Sequence, residues 1–248
     1  MRILYDNIIK DATITASSEH PDFTFAVGLL DKRLSRVSRT IDDDDQWIKF
    51  TMSSATNASY ICIKNHNFTS GATVKIEGNA TDSWGAPTFT QTITVSDDMC
   101  AAFASTQNFQ YWRLTVDDAS NPDTYIEIGY VFLGVHLAMP GYDAAVTTGE
   151  KSTAETEYSA SGQLYGDKRI VFKTAEITFP DVSQANKDLI SAFFAEMDKT
   201  EPFVLLIAED TPLIYPSLYC SLTTDLSWAK APNQGLSYSL KLSFQECK

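Results

Sequence analysis

The segment Asn65-His66-Asn67 is the first candidate for chemistry that we consider. A histidine in a polar loop is a potential general base or metal ligand. Common metal sites need several converging His, Cys or carboxylate ligands, and the other two histidines, His20 and His136, have no companion motif. Asparagine often hydrogen-bonds its own backbone in turns. We therefore interpret the segment as a structural corner between two strands.

Four consecutive aspartates at 42–45 are the second candidate, because hard cations such as calcium prefer oxygen ligands. The run lacks the alternating spacing of a dedicated calcium loop. Neighbouring side chains on an extended segment also point in opposite directions. We interpret the run as a solvated loop and expect neither a metal nor a cofactor.

An arginine-rich segment just upstream, which includes Arg36 and Arg39, forms a basic patch beside those aspartates. It fits salt bridging within the chain, contact with a partner, or ligand binding. Trp84 lies in the loop "TDSWGAP" and is placed to stack on a sugar ring, whereas Trp47 and Trp112 fall inside strand patterns and are predicted to be in the core. The hypothetical ligand-binding residues are therefore Trp84, Arg36 and Arg39.

Signatures of catalysis are missing from the sequence. It contains no GxSxG elbow, no phosphate-binding glycine loop and no HExxH motif. A carboxylate pair for glycoside chemistry would meet only in the fold, and no pair stands out. We expect a protein that binds or assembles, not an enzyme.

Composition narrows the class of partner. The 248 residues carry a net charge of -13, divided as -7 over residues 1–140 (10 Lys and Arg, 17 Asp and Glu) and -6 over the remainder (9 and 15). An evenly acidic surface argues against nucleic acid and anionic membranes. The N-terminus resembles neither a signal peptide nor a membrane span. Four scattered cysteines without a CxxC pair favour reduced thiols in a protein made in the cytoplasm.

Strand patterns dominate residues 1–138, which we assign to one domain. Runs such as "QWIKFTM", "ATVKIEG" and "QYWRLTV" alternate apolar and polar residues, and Gly, Asn, Asp and Ser clusters separate them. Seven or more short strands with almost no helical periodicity predict an antiparallel sandwich or jelly roll.

Residues 139–167 lose the apolar pattern and gain small and polar residues. Such a composition is typical of a linker or extended arm. A pair of exposed strands, in a hairpin that reaches a neighbouring subunit, fits it equally well.

A second β-rich domain is predicted over 168–248, with one helix at about 183–199. Asp181 or Ser183 is suited to cap the helix start, and Pro202 follows its end. An apolar stripe predicted to face a sheet repeats at helical spacing and consists of Leu189, Ile190, Phe193, Phe194 and Met197. The predicted fold class is mainly β, with a packed helix in the second domain.

The order of segments in residues 1–135 resembles the discoidin-like, galactose-binding-like jelly-roll family. "ATITASSEHPDFTFAVGLLD" resembles its first strand and following loop, "QWIKFTM" its Trp-containing strand, and "YWRL" with "IEIGYVFLG" its closing pair. The resemblance implies a jelly-roll sandwich and carries over no binding residue. Secreted members often have a disulfide at the domain ends, a position that neither Cys62 nor Cys100 occupies.

"NHN" followed by "GATV", together with "YIEIGYVFLG", is similar to tail proteins of long-tailed bacteriophages, and the second domain resembles sandwich-plus-helix modules of distal tail and tail-tip proteins. This implies a structural virion component, made in the host bacterial cytoplasm. It would form a homo-oligomeric, sixfold (hexamer) ring that contacts the tail tube and the hub or tip proteins.

Two other functions remain open from the sequence. One is a lectin-like carbohydrate-binding module that holds a cell-surface glycan with the loops around 20–46 and 80–88. The other is an accessory domain of a polysaccharide-degrading enzyme.

Overall fold

The computed structural model describes residues 1–97, 99–139, 146–207, 217–230 and 237–248. The chain forms two compact units, Arg2–Leu137 and Ala138–Cys247. The first nine strands, with a 3-10 turn and a one-turn helix, are β1 (Arg2–Leu4), the 3-10 turn (Ile8–Asp11), β2 (Thr13–Ala16), α1 (Phe25–Gly28), β3 (Ser38–Arg39), β4 (Gln46–His66), β5 (Thr73–Asn79), β6 (Phe89–Ile93), β7 (Met99–Asp117), β8 (Glu127–Gly134) and β9 (Leu137–Ala138).

The elements that follow are β10 (Val146–Ser152), β11 (Thr156–Tyr158), β12 (Leu164–Gly166), β13 (Val171–Ser183), α2 (Gln184–Met197), β14 (Phe203–Leu206), β15 (Ser217–Leu222), β16 (Trp228–Lys230) and β17 (Ser237–Glu246). The predicted class, mainly β with a jelly-roll sandwich first and a packed helix in the second unit, is confirmed. None of the helices in the described ranges has the length and apolarity needed to cross a bilayer.

Two long antiparallel strands, β4 and β7, form the centre of the N-terminal unit. Gln46–Thr51 pairs with Tyr111–Val116, and Tyr60–Ile63 pairs with Met99–Ala102. Register shifts between these stretches let both strands bend, so that each strand contributes to both layers of the sandwich. One layer adds β2, β5 and β6, and the other adds β8 and β3. The layers enclose one hydrophobic core, as in a jelly roll.

An aromatic cluster lies in that core. The Trp112 side chain is fully buried, and its ring centroid lies 5.5 Å from that of Phe109, 6.0 Å from Phe103 and 6.1 Å from Phe89. The core assignment of Trp112 is confirmed. That of Trp47 is wrong, because its neighbours on β4 are buried and alternation along the strand turns Trp47 outward, where it is half-buried.

The expectation of reduced thiols is wrong for two of the four cysteines. Cys62 on β4 lies directly opposite Cys100 on β7, with the two Cα atoms 4.1 Å apart, and the side chains form a disulfide. Pairing of β4 with β7 brings together two thiols that are 38 residues apart in the sequence, which spacing alone does not reveal. Cys220 and Cys247 are not part of a disulfide.

The C-terminal unit has a sheet in which β10, β13, β17, β15 and β14 lie side by side, with β16 also paired to β17. The predicted helix is α2, and the Ser183 hydroxyl, not Asp181, caps it by accepting from the Asn186 N–H. Its buried face comprises Ile190, Phe193 and Met197. Leu189 does not belong to the buried stripe, since its side chain is 52% exposed.

The segment predicted as a linker, arm or exposed hairpin contains three strands. Its residues 140–145 lie outside the described part of the chain. β10 joins the sheet through β13, and β11 pairs with β12 in a separate two-stranded hairpin. Every residue of β11 and β12 is exposed.

Candidate functional site

A cleft of about 480 Å³ opens beside α1, in the connection between β2 and β3. Both polar and apolar side chains line it. Its lining residues are Asp22, Phe23, Thr24, Val27, Gly28, Arg33, Ser35, Arg36 and Val37.

Backbone contacts between the two ends of this connection shape the cleft. The Arg39 N–H donates to the Phe23 carbonyl at 2.9 Å, and the Ser38 hydroxyl donates to the Thr24 carbonyl at 3.1 Å. Gly28 is needed here, because a Cβ at that position would collide with the Ser38 hydroxyl. α1 can therefore lie directly against β3, which fixes one wall of the cleft.

One carboxylate organises the basic side of the cleft. Asp31 Oδ1 accepts from Arg33 Nε and Oδ2 accepts from Arg33 Nη2, both at 2.9 Å, and Oδ2 also accepts from Arg36 Nη1 at 3.0 Å. Hydrogen bonds from Arg33, and then from Arg36, hold the pKa of Asp31 well below its usual range. The same contact with Asp31 raises the pKa of Arg33. The two guanidinium groups are thus held side by side.

The three sequence-predicted ligand residues have different places in the structure. Arg36 lines the cleft. Arg39 lies behind it, where Nε donates to Glu127 Oε2 at 2.6 Å and the guanidinium carbon lies 4.2 Å from the Phe23 ring centroid. Arg39 therefore supports a lining residue and does not itself line the cleft.

Trp84 lies apart from the cleft lining, in the connection between β5 and β6. Its Nε1 donates to Asp82 Oδ1 at 2.8 Å, and the Arg113 guanidinium carbon lies 4.5 Å from its ring centroid. Lys49 Nζ donates to Asp82 Oδ2 at 2.7 Å, and this contact, followed by the Trp84 bond, lowers the pKa of Asp82. The half-buried indole is thus fixed against the outside of the sheet.

The Asn65-His66-Asn67 corner is structural, as predicted, although its bonds differ from those expected. Asn65, with φ at +53°, donates from Nδ2 to the Leu34 carbonyl at 2.6 Å. Asn67 accepts from the Glu127 N–H at 2.8 Å. Both side chains therefore bond distant backbone and not their own. Because Leu34 lies between Arg33 and Ser35, the Asn65 bond supports the loop that carries the arginine pair.

Both ring nitrogens of His66 are engaged. Nδ1 accepts from the Phe68 N–H at 3.2 Å, so the proton lies on Nε2, which donates to the Ser96 carbonyl at 3.0 Å. Burial lowers the pKa of His66 and favours this neutral form. The ring therefore links the corner to the backbone at Ser96 and Phe68.

The backbone of the aspartate run at 42–45 is bent. Asp42 Oδ1 accepts from the Asp43 N–H at 2.8 Å, and Asp45 has a left-handed backbone with φ at +49°. Desolvation, followed by the charge of Asp117, raises the pKa of Asp44. Across the described ranges, no three His, Cys, Asp or Glu side chains are grouped so that they would hold a metal ion.

Phe23, Asp22 and Val27 were not identified from the sequence as site residues. The sequence gives little indication of their role, since "PDFTFAVG" resembles an ordinary loop followed by a short apolar run. Only the fold shows that this run makes one turn of helix whose outer side, with Val27 half exposed, faces the arginine loop.

No family model and no curated protein matches the chain. Among solved structures, it is similar to the lectin domain of lectinolysin in complex with Lewis B antigen (12% identity, TM-score 0.41, covering 52% of this chain and 95% of that one). It is also similar to a Streptococcus pneumoniae fucose-binding module (13%, 0.42, 52% and 98%). A third match is the family 32 carbohydrate-binding module of C. perfringens NanJ in complex with galactose (14%, 0.42, 53% and 97%). At these identities and TM-scores the matches assign neither a family nor a ligand to this chain.

Proposed function

We propose that the chain is a carbohydrate-binding module, that the cleft beside α1 holds the glycan, and that binding occurs without catalysis. The observation that carries the proposal is the make-up of the cleft, in which hydrogen-bonding groups surround an aromatic ring. Its volume falls within the range of about 300–1,000 Å³ that is usual for small-ligand sites.

The chemistry of the lining matches that of a sugar. Sugar hydroxyls both donate and accept hydrogen bonds, and the lining offers acceptors on Asp22, donors on Arg36 and both on Ser35. Sugars also have an apolar C–H side that packs against aromatic rings. Phe23 supplies such a ring, held in place by Arg39 on one face.

Filling the cleft tests this proposal. Val27 is 50% exposed and lines the cleft, so Val27→Trp should occupy the cleft without disturbing the core. We expect wild-type protein to bind members of a glycan array and Val27→Trp to bind them at least ~10-fold more weakly, about 1.4 kcal/mol.

The matched control is Leu189→Trp, which makes a similar change at an exposed position on α2. It should bind as the wild type does. An array on which the wild-type chain binds nothing, or binding that survives Val27→Trp unchanged, would contradict the proposal.

A second function, assembly with copies of the same chain, is favoured by the β11–β12 hairpin. Tyr158, Leu164 and Tyr165 on this hairpin have side chains that are 73%, 59% and 59% exposed. An isolated two-stranded hairpin is marginally stable in water and gains stability when it packs on another surface. We propose that this surface belongs to a neighbouring copy.

The resemblance of the sequence to tail proteins of long-tailed bacteriophages implies where such an assembly would occur. It would be a sixfold ring at the distal end of a bacteriophage tail, in contact with tail-tube and tip proteins, within a virion made in the host bacterial cytoplasm. Head-to-tail contacts that close by rotation generate such rings. A glycan-binding cleft on each subunit would then multiply weak contacts with a cell surface.

A further inference from the structure

The segment beside the cleft has a charge opposite to that of the chain. Residues 31–39, "DKRLSRVSR", contain four of the 19 Lys and Arg residues and one Asp, in a protein of net charge -13. Two of these cations, Arg33 and Arg36, line the cleft, together with one acid, Asp22. Asp31 and Asp22 offset the formal charges of Arg33 and Arg36, so the cleft itself has no net positive charge. What suits a negatively charged ligand is the pair of exposed guanidinium groups, whose N–H donors bind anionic oxygens.

The two arginines are arranged in advance of binding. Asp31 is largely buried, with 14% of its side chain exposed, while the Arg33 and Arg36 side chains are 64% and 50% exposed. Asp31 engages Nε and Nη2 of Arg33 and only Nη1 of Arg36. Arg33 Nη1 and Arg36 Nε and Nη2 make no hydrogen bond to the described part of the chain.

These remaining donors suit a planar anion. Guanidinium groups bind carboxylates through paired N–H donors, and a pre-positioned guanidinium loses little side-chain entropy on binding. Phe23 and Ser35 line the same cleft and are available to the body of a sugar. Asp22 cannot accept from a carboxylate, but it can accept from the hydroxyls of the same ring.

We infer that the cleft takes a saccharide that carries a carboxylate, such as a uronic or sialic acid, with the carboxylate on Arg33 and Arg36 and the hydroxyls toward Asp22 and Ser35. This inference rests on the proposed glycan-binding function and specifies its ligand class.

The test compares acidic ligands with neutral counterparts. Oligogalacturonate and its methyl ester, and sialyllactose and lactose, are titrated into the full chain by calorimetry at low and at raised salt. We expect at least one acidic ligand to bind ~10-fold or more tightly than its neutral counterpart, and we expect added salt to narrow the difference.

Two substitutions of Arg36, with a control at Arg169, locate the effect. Arg36→Ala should remove most of the preference for the acidic ligand, and Arg36→Lys should restore only part of it, because lysine keeps the charge but loses the paired donors. Arg169→Ala removes the same charge from an exposed ion pair with Glu155 in the C-terminal unit and should leave the preference unchanged.

The outcomes separate this inference from the function on which it rests. Neutral glycans that bind as tightly as acidic ones, or a preference for acids that survives Arg36→Ala, would overturn the inference and leave glycan binding intact. Failure of both the titrated ligands and a broad glycan array to bind would overturn the proposed function together with the inference.

Discussion

Replacing Trp112 by alanine is expected to destabilise the N-terminal unit by about 3–5 kcal/mol, the usual cost of removing a large aromatic side chain from a core. The Trp112 side chain is fully buried and contacts three phenylalanine rings, so its removal leaves a cavity that β4 and β7 cannot close without losing their pairing. A domain of this size is typically stable by only 5–15 kcal/mol, so this single change takes a large share of the total.

Urea unfolding followed by near-ultraviolet circular dichroism measures the change. Trp84→Ala is the matched control, because its half-buried indole contacts the outside of the same unit and contributes about 0.5–1 kcal/mol through Arg113. Equal effects of the two substitutions would contradict the assignment of Trp112 to the core and of Trp84 to the surface.

Removing the apolar side chains of the β11–β12 hairpin is expected to abolish self-association. The triple substitution Tyr158→Ser, Leu164→Ser and Tyr165→Ser changes only exposed side chains, so each subunit should stay folded. Interface centres depend on a few aromatic and aliphatic anchors, and the loss of three at once should weaken each contact by 100-fold or more, about 2.7 kcal/mol.

Native mass spectrometry at several protein concentrations tests this expectation. Wild-type protein should give an oligomer, with six copies as the assembly that the resemblance implies, and the triple variant should give a monomer. Ile41→Ser is the control, since it removes an apolar side chain that is 66% exposed on the N-terminal unit. A wild-type chain that stays monomeric at high concentration would contradict the assembly proposal.

Alternating apolar residues predict strands such as those that contain "QWIKFTM" and "ATVKIEG", because a strand buried on one face must alternate. It is harder to predict which of the alternating residues face the core. Ile48 and Phe50 are buried on β4, and this turns Trp47 outward despite its size. Leu189 on α2 is a similar case. The predicted apolar stripe includes it, but the buried face of the helix does not.

The sequence favours a structural role for the corner at His66, because a metal site needs several convergent ligands. The sequence does not identify the groups with which that corner forms hydrogen bonds. Asn65 bonds the Leu34 carbonyl, 31 residues earlier, and Cys62 meets Cys100 across a strand pair. Contacts of this kind follow from strand register, and register depends on the whole sheet.

The cleft was predicted only in outline. The loop around 20–46 was named as a potential glycan site, and Arg36 lies on it, but the loop around 80–88 contributes no residue to the lining. The sequence does not mark Phe23 as a lining residue, because its place depends on the Arg39 guanidinium against its ring and on the close approach that Gly28 allows. These are properties of three-dimensional packing.

Hydrogen–deuterium exchange of the full chain, with and without a glycan selected from the array, tests the central proposal most directly. A ligand in the cleft should slow exchange of the amides of residues 22–37, which carry the lining, and leave those around Trp84 unchanged. Protection centred on residues 80–88, or no protection in 22–37 when the glycan is bound, would show that the cleft is not the site.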